Sequence, residues 1–99
     1  MAELVVEARE GGSFAVEVRA PEGSTHHVVR VPDGYPSELG CQGVPAVELV
    51  RRSFEFLLER EPPSSILRRF ELDDIERYFP EYPAEIRRRC SGLAGTDKG

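Results

Sequence analysis

The sequence predicts an α+β fold: a three-stranded antiparallel meander covered by one long helix and followed by short C-terminal helices. Two observations carry this. Residues 3–9, 13–20 and 25–31 alternate apolar with polar side chains and are rich in β-branched residues. Residues 45–61 instead repeat their apolar side chains at helical spacing, and prolines divide everything beyond them into short pieces.

The strands come first. Gly11-Gly12 separates the first two, and Pro21-Glu22-Gly23-Ser24 the second and third. Register follows from the faces, because a slip of one residue sends every apolar side chain to the wrong side. A two-residue turn at Gly11-Gly12 would set Val6 against Glu17. A three-residue loop, Glu10-Gly11-Gly12, sets Ala8 against Phe14, Val6 against Val16 and Leu4 against Val18, with Gly12 supplying the left-handed residue such loops need. A four-residue loop at 21–24 then sets Val18 against His27, Val16 against Val29 and Phe14 against Val31. The inner face becomes Leu4, Val6, Ala8, Phe14, Val16, Val18, Ala20, Val29 and Val31. The outer face mixes Glu7, Arg9, Glu17, Arg19, His26 and Arg30, so it is wet. Strands 3–9 and 25–31 are both free edges in this topology. A sheet this small is stable only under an apolar cover, which must come from residues 45–90.

An irregular connection follows, punctuated by Pro32, Pro36, Gly34, Gly40 and Gly43. Pro45 suits the first turn of a helix, where a missing N–H is harmless. From Pro45 to Glu61, Val47, Val50, Phe54, Leu57 and Leu58 form one apolar stripe opposite Arg51, Arg52, Glu55 and Glu59, and Pro62-Pro63 end the helix. Ser64 or Ser65 caps a short second helix carrying Ile66, Leu67 and Phe70. Leu72, Ile75, Tyr78 and Phe79 share one face of a third, with Asp73 and Asp74 in its first turn and Pro80 as its stop. Pro83 opens a last turn through Ile86 and Arg87-Arg88-Arg89. One domain therefore spans residues 1–90, and residues 91–99 form a disordered tail with neither periodicity nor apolar content.

The segment Phe54-Glu55-Phe56-Leu57-Leu58-Glu59-Arg60-Glu61-Pro62, with Ser65-Ile66-Leu67, Phe70, Leu72, Ile75 and Tyr78-Phe79-Pro80-Glu81-Tyr82, resembles the signature of a group of short uncharacterised bacterial proteins. The resemblance spans about residues 45–86 and implies a bacterial origin, with no catalytic or ligand-binding residues attached. A meander followed by a helix also resembles, in topology alone, small antitoxin domains.

Composition narrows function further. With 99 residues, 39% of them hydrophobic and 31% charged, the chain holds a single thin core and no deep, separately walled active site. No apolar run approaches the roughly 18 residues of a membrane span, and Met1-Ala2-Glu3 lacks the basic start of a signal peptide, so the expected location is cytoplasmic. A net charge of −5 argues against general nucleic-acid or anionic-membrane binding. Cys41 and Cys90 form no CxxC pair, so neither a disulfide framework nor a zinc site is expected, and Cys41 reads as packing.

Other candidates for chemistry reduce to structural roles. His26 and His27 are neighbours on a strand and point oppositely, so they cannot share a metal; His26 reads as solvated and His27 as the end of the apolar row. Asp73 with Asp74, or Glu59 with Glu61, suit capping and dipole pairing more than acid–base catalysis. The glycines match no phosphate-binding or dinucleotide pattern, and no cofactor is expected. All but one of the 13 basic residues are arginine, clustered at 51–52, 68–69 and 87–89, but acids stand beside each cluster. The sequence thus points away from an enzyme.

The aromatic group remains. Phe54 and Phe56 lie about 200° apart around a helix, so something besides the sheet must cover one of them. Both the later helices and a second copy of the chain are open as the cover. The expected interaction residues are therefore Phe54, Phe56, Phe70, Tyr78, Phe79 and Tyr82. The expected function is a small non-enzymatic protein-binding or assembly module, a homodimer, using its apolar helical half or a free sheet edge. The alternative is an antitoxin-like regulator contacting nucleic acid through its arginine clusters.

Overall fold

The computed structural model describes residues 3–95, with side chains through Cys90. The predicted α+β class holds, but the sheet has four strands and is mixed. The first strand, β1, covers Glu3–Ala8; β2 covers Ser13–Ala20 and β3 covers Gly23–Arg30. As expected, Ala8 pairs with Phe14, Val6 with Val16 and Leu4 with Val18 across the loop Glu10–Gly12, whose Gly11 and Gly12 both adopt positive φ.

The second hairpin differs in register. Phe14 pairs with Val29, Val16 with His27 and Val18 with Thr25, because the turn takes only Pro21 and Glu22 while Ser24 and Gly23 pair with Arg19 and Ala20. The shift from the expected alignment is two residues, an even number, so every side chain keeps its face. Val16, Val18 and Val29 are accordingly fully buried, with Phe14 and Val31 nearly so. Each such burial contributes on the order of 1.5–3 kcal/mol. Leu4 and Val6 are half-buried, and Ala8, at the end of the edge strand, is exposed.

The larger correction lies at residues 64–71. In place of a short helix, Pro63–Ser65 make one 3-10 turn and Arg69–Glu71 form a fourth strand, β4, which pairs parallel with β3. The Val28 N–H donates to the Arg68 carbonyl at 2.7 Å. Helical propensity loses here because β3 otherwise leaves its outer row of backbone groups unpaired. Strand order is β1-β2-β3-β4, so β3 is interior and the free edges are β1 and β4, not β1 and β3.

The cover is α2, Ala46–Leu58, within the helix expected over 45–61. It buries Leu49, Val50, Phe54 and Leu57, leaving Val47 and Leu58 at the margin of the core. Before it, α1 (Tyr35–Glu38) gives shape to a connection expected to be irregular, and Tyr35, Leu39, Cys41 and Val44 join the core. After β4, a 3-10 turn at Leu72–Asp74 leads into α3, Ile75–Tyr78. Asp74 acts in the expected capping role, one carboxylate oxygen accepting from the Glu71 N–H at 3.0 Å.

The last helix, α4, runs from Tyr82 to Gly95, well past the single turn expected at Pro83. It makes a second long helix. Residues 91–95, assigned by the sequence to a disordered tail, continue its backbone; residues 96–99 of that tail lie outside the described residues. No helix among the described residues is long and apolar enough to cross a membrane.

The cysteines are a further correction. Cys41 and Cys90 are joined by a disulfide, with Cα atoms 5.6 Å apart and 49 residues of sequence separation, and both are buried. Sequence spacing says nothing of this pairing, because it is the fold that lays α4 against the connection. Arg87 lies along the same seam and donates to the Leu39 carbonyl at 3.3 Å. Gly40, at φ +79°, leaves room for that side chain: a Cβ there would meet Arg87 Nε at 3.1 Å.

Candidate functional site

The aromatic residues expected to bind a partner divide between core and surface. Phe54, Phe56 and Tyr82 are fully buried and Phe70 nearly so; Phe79 is half-buried, and only Tyr78, 65% exposed, reaches solvent. Phe54 and Phe56 find separate cover within the chain. Phe54 faces the sheet, with its ring 5.4 Å from His27 and 5.9 Å from Phe70. Phe56 faces the other way, meeting Phe79 at 5.8 Å and Tyr82 at 5.2 Å edge to face, with the Arg60 guanidinium 3.7 Å over its ring. The later helices thus supply the shelter for which a second copy was the other candidate.

Tyr82 is fixed by a buried polar relay. Its hydroxyl lies 2.6 Å from Ser53 Oγ, which donates to the Leu49 carbonyl at 2.8 Å one turn back along α2. Burial pushes the Tyr82 phenol well above its ordinary range. On the other side of α3, Tyr35 donates to Glu76, and burial with that bond raises its phenol too. Both phenols stay protonated and act as struts.

The concave site lies beside this core. A cleft of about 250 Å³ opens between the end of α2, the 63–67 turn, β4 and α3. Leu57, Ile66, Phe70, Ile75 and Phe79 make its floor and walls, while Leu67, 51% exposed, and Tyr78 stand at its mouth. Those two are most of the large apolar surface left open among the described residues; Val5, on the far side of the sheet, is the other exposed large apolar residue. The polar lining is sparse. Asp74 is already engaged as a cap and lies 3.7 Å from Arg77. Glu61, at the rim, has its carboxyl pushed upward by burial alone, with no cation offsetting it. A half-buried carboxylate without a charge partner, beside open apolar surface, suits a ligand that brings both an apolar group and a hydrogen-bond donor.

Sequence reasoning put Leu67 on a short helix with Ile66 and Phe70 and weighed Glu61 only in a pair with Glu59, so neither was expected at a binding site. A usable signal was present: Ile66 and Leu67 are adjacent and follow two prolines, and in extended chain neighbours point oppositely, so one must turn outward. Ile66 is 5% exposed against 51% for Leu67. Of the expected interaction residues, the cleft brings together Phe70, Tyr78 and Phe79; Phe54, Phe56 and Tyr82 lie beneath it as support.

His27 links the sheet to this cleft. Its Nδ1 lies 2.8 Å from the Leu67 carbonyl, which can only accept, so the proton sits on Nδ1, and Nε2 accepts from the Thr25 hydroxyl at 2.9 Å. His26, as expected, is solvated, its side chain 75% exposed and 3.7 Å from Glu17. Burial, with the nearby charges of His26 and Arg68, holds the His27 pKa below 6.5 despite the raising effect of the Leu67 bond. The unfolded chain therefore binds the proton first as pH falls. Stability is expected to decline as pH drops below about 6.5, by at most about 1.4 kcal/mol per pH unit, and to stop declining below the folded-state pKa. Glu61, raised rather than lowered, works in the opposite sense. Urea unfolding of the wild type and of His27→Gln between pH 7.5 and 5.5 separates the two: a slope that survives the substitution assigns it elsewhere.

Among the described residues no group of three potential metal ligands converges. No family model, no curated protein and no solved structure matches this chain.

Proposed function

We propose that the protein is a non-enzymatic binding module whose cleft receives a segment of another protein, seating an apolar side chain between Leu67 and Tyr78 and a neighbouring arginine or lysine against Glu61. The single observation behind this is the pairing of open apolar surface with an uncompensated carboxylate at one concave site. The overall charge of −5 favours the same basic, apolar partner.

The antitoxin-like reading has less support. Arg51, Arg52, Arg88 and Arg89 are engaged with Glu48, Glu55, Glu59 and Glu85, and Arg87 with a carbonyl, which leaves the side chains of Arg68 and Arg69 as the members of the three clusters without a hydrogen-bond or ion-pair partner among the described residues. A buried disulfide is the habit of oxidising compartments, and it weighs against the cytoplasmic location expected from composition.

Selection from a displayed library of random peptides tests the module. Enriched sequences should place a large apolar residue beside Arg or Lys, and Leu67→Asp should weaken them at least tenfold while far-UV circular dichroism stays unchanged. Glu61→Gln should weaken only those with the basic residue. No enrichment over an unrelated control protein, or peptides that bind Leu67→Asp equally well, would remove the proposal.

A further inference from the structure

The free edge of the sheet supplies a second surface, independent of the cleft. The Arg9 N–H donates to the Ser13 carbonyl at 2.8 Å, which fixes the phase of the β1–β2 ladder: odd-numbered residues of β1 bond to β2, and Leu4, Val6 and Ala8 turn their N–H and C=O groups away from it. Among the described residues only one of these outward groups has a partner, the Leu4 carbonyl, which accepts from Arg51 of α2 at 3.0 Å. Residues 3–9 contain no proline or lysine, the usual protections of such an edge. The opposite edge, β4, is three residues long and ends in charge.

We infer that β1 pairs antiparallel with β1 of a second copy about a two-fold axis at Val6, joining two four-stranded sheets into one. The charges at the two ends of the strand select this occupant, because Glu3 and Arg9 are complementary in this register, while Glu7 lies opposite the partner's Val5. Antiparallel pairing centred on Val6 bonds Val6 to its own symmetry mate and Leu4 to the partner's Ala8 through their outward backbone groups. Glu3 then stands directly opposite the partner's Arg9 on the outer face, twice over. Val5, 39% exposed in the single chain, meets the partner's Val5 diagonally across the axis. Half-buried Leu4 and Val6 gain apolar neighbours on the inner face. Arg51 comes from the helix side of the sheet and occupies one lone pair of the Leu4 carbonyl, leaving the other for the incoming N–H. Arg9 in the single chain has only a loose contact, 3.7 Å to Glu7 with both side chains largely exposed, so little is given up when it turns to Glu3 of the partner.

Sedimentation velocity over a concentration series tests this. The wild type should dimerise, and Arg9→Glu should raise the dimer dissociation constant roughly 10- to 30-fold, since two attractive pairs become two repulsive ones. The double variant Glu3→Arg/Arg9→Glu should restore the wild-type value. A backbone measurement covers the case of a variant that folds poorly: in the wild type, amide exchange at Val6 and Ala8 should slow as concentration rises. A wild type that remains single at every concentration, a dimer indifferent to Arg9→Glu, or a dimer broken by Leu67→Asp in the cleft would each overturn the pairing.

Discussion

Removing the disulfide, by the double substitution Cys41→Ala/Cys90→Ala, is expected to lower stability by about 4 kcal/mol, the loop-closure value for a link spanning some fifty residues. For a domain of this size that corresponds to a fall in melting temperature of roughly 20 °C. It is a large share of the 5–15 kcal/mol by which such domains are held folded. The reason is geometric. The link encloses α2, β4 and α3, the elements that roof the sheet and build the cleft, and it anchors them at Cys41 and at Cys90 of α4. Without it, the connection is tied to α4 by the Arg87 bond to Leu39 and by packing around Tyr35 and Leu39. Thermal unfolding of the oxidised wild type and of the double variant decides the matter. Melting temperatures within about 5 °C of each other would mean that the loop is already constrained in the unfolded chain or that the link is absent in solution.

Phe56→Ala is expected to cost a further 3–5 kcal/mol or so, the usual range for emptying a fully buried phenylalanine site. Phe56 ties α2 to α4 and to the residue that ends α3, meeting Tyr82 and Phe79 edge to face and carrying Arg60 on its ring. A cavity there cannot be closed by one side chain shifting, because Tyr82 is held by Ser53 and Arg60 by Glu81 at 3.1 Å. Phe56→Leu, which keeps most of the volume, should cost less than half as much. Urea midpoints at constant slope measure both. A cost below about 1 kcal/mol for the alanine variant would show that α4 does not dock on α2 as described.

Much of this arrangement is legible in the residues. Alternation over 3–9 and 13–20 with two glycines between them gives the first hairpin to the residue, because only one loop length puts valine against valine. The second hairpin is legible in its faces but not in its alignment: registers differing by two are equivalent to a reading based on sides, and the choice falls to the turn at Pro21-Glu22. The stripe from Val47 to Leu58 announces α2, and the 200° between Phe54 and Phe56 announces that a second layer must exist. What the pattern does not hold is pairing at a distance. The disulfide, the parallel strand at Arg69–Glu71 and the cleft mouth at Leu67 all depend on which backbone groups β3 leaves unpaired and on where α4 comes to rest. Those are properties of the assembled sheet, and a run of three residues is too short to carry a period of its own.

The parallel pairing of β4 with β3 has a consequence during biosynthesis. Val28 finds Arg69 only after the forty residues between them have been made, whereas β1, β2 and β3 are joined by short turns. The amino-terminal ribbon is therefore complete on the ribosome while its valine-lined side and both of its borders are still bare. Until α2 and the strand beyond it emerge and dock, that apolar side has no cover within the chain, and a chaperone acting then has the most to shield.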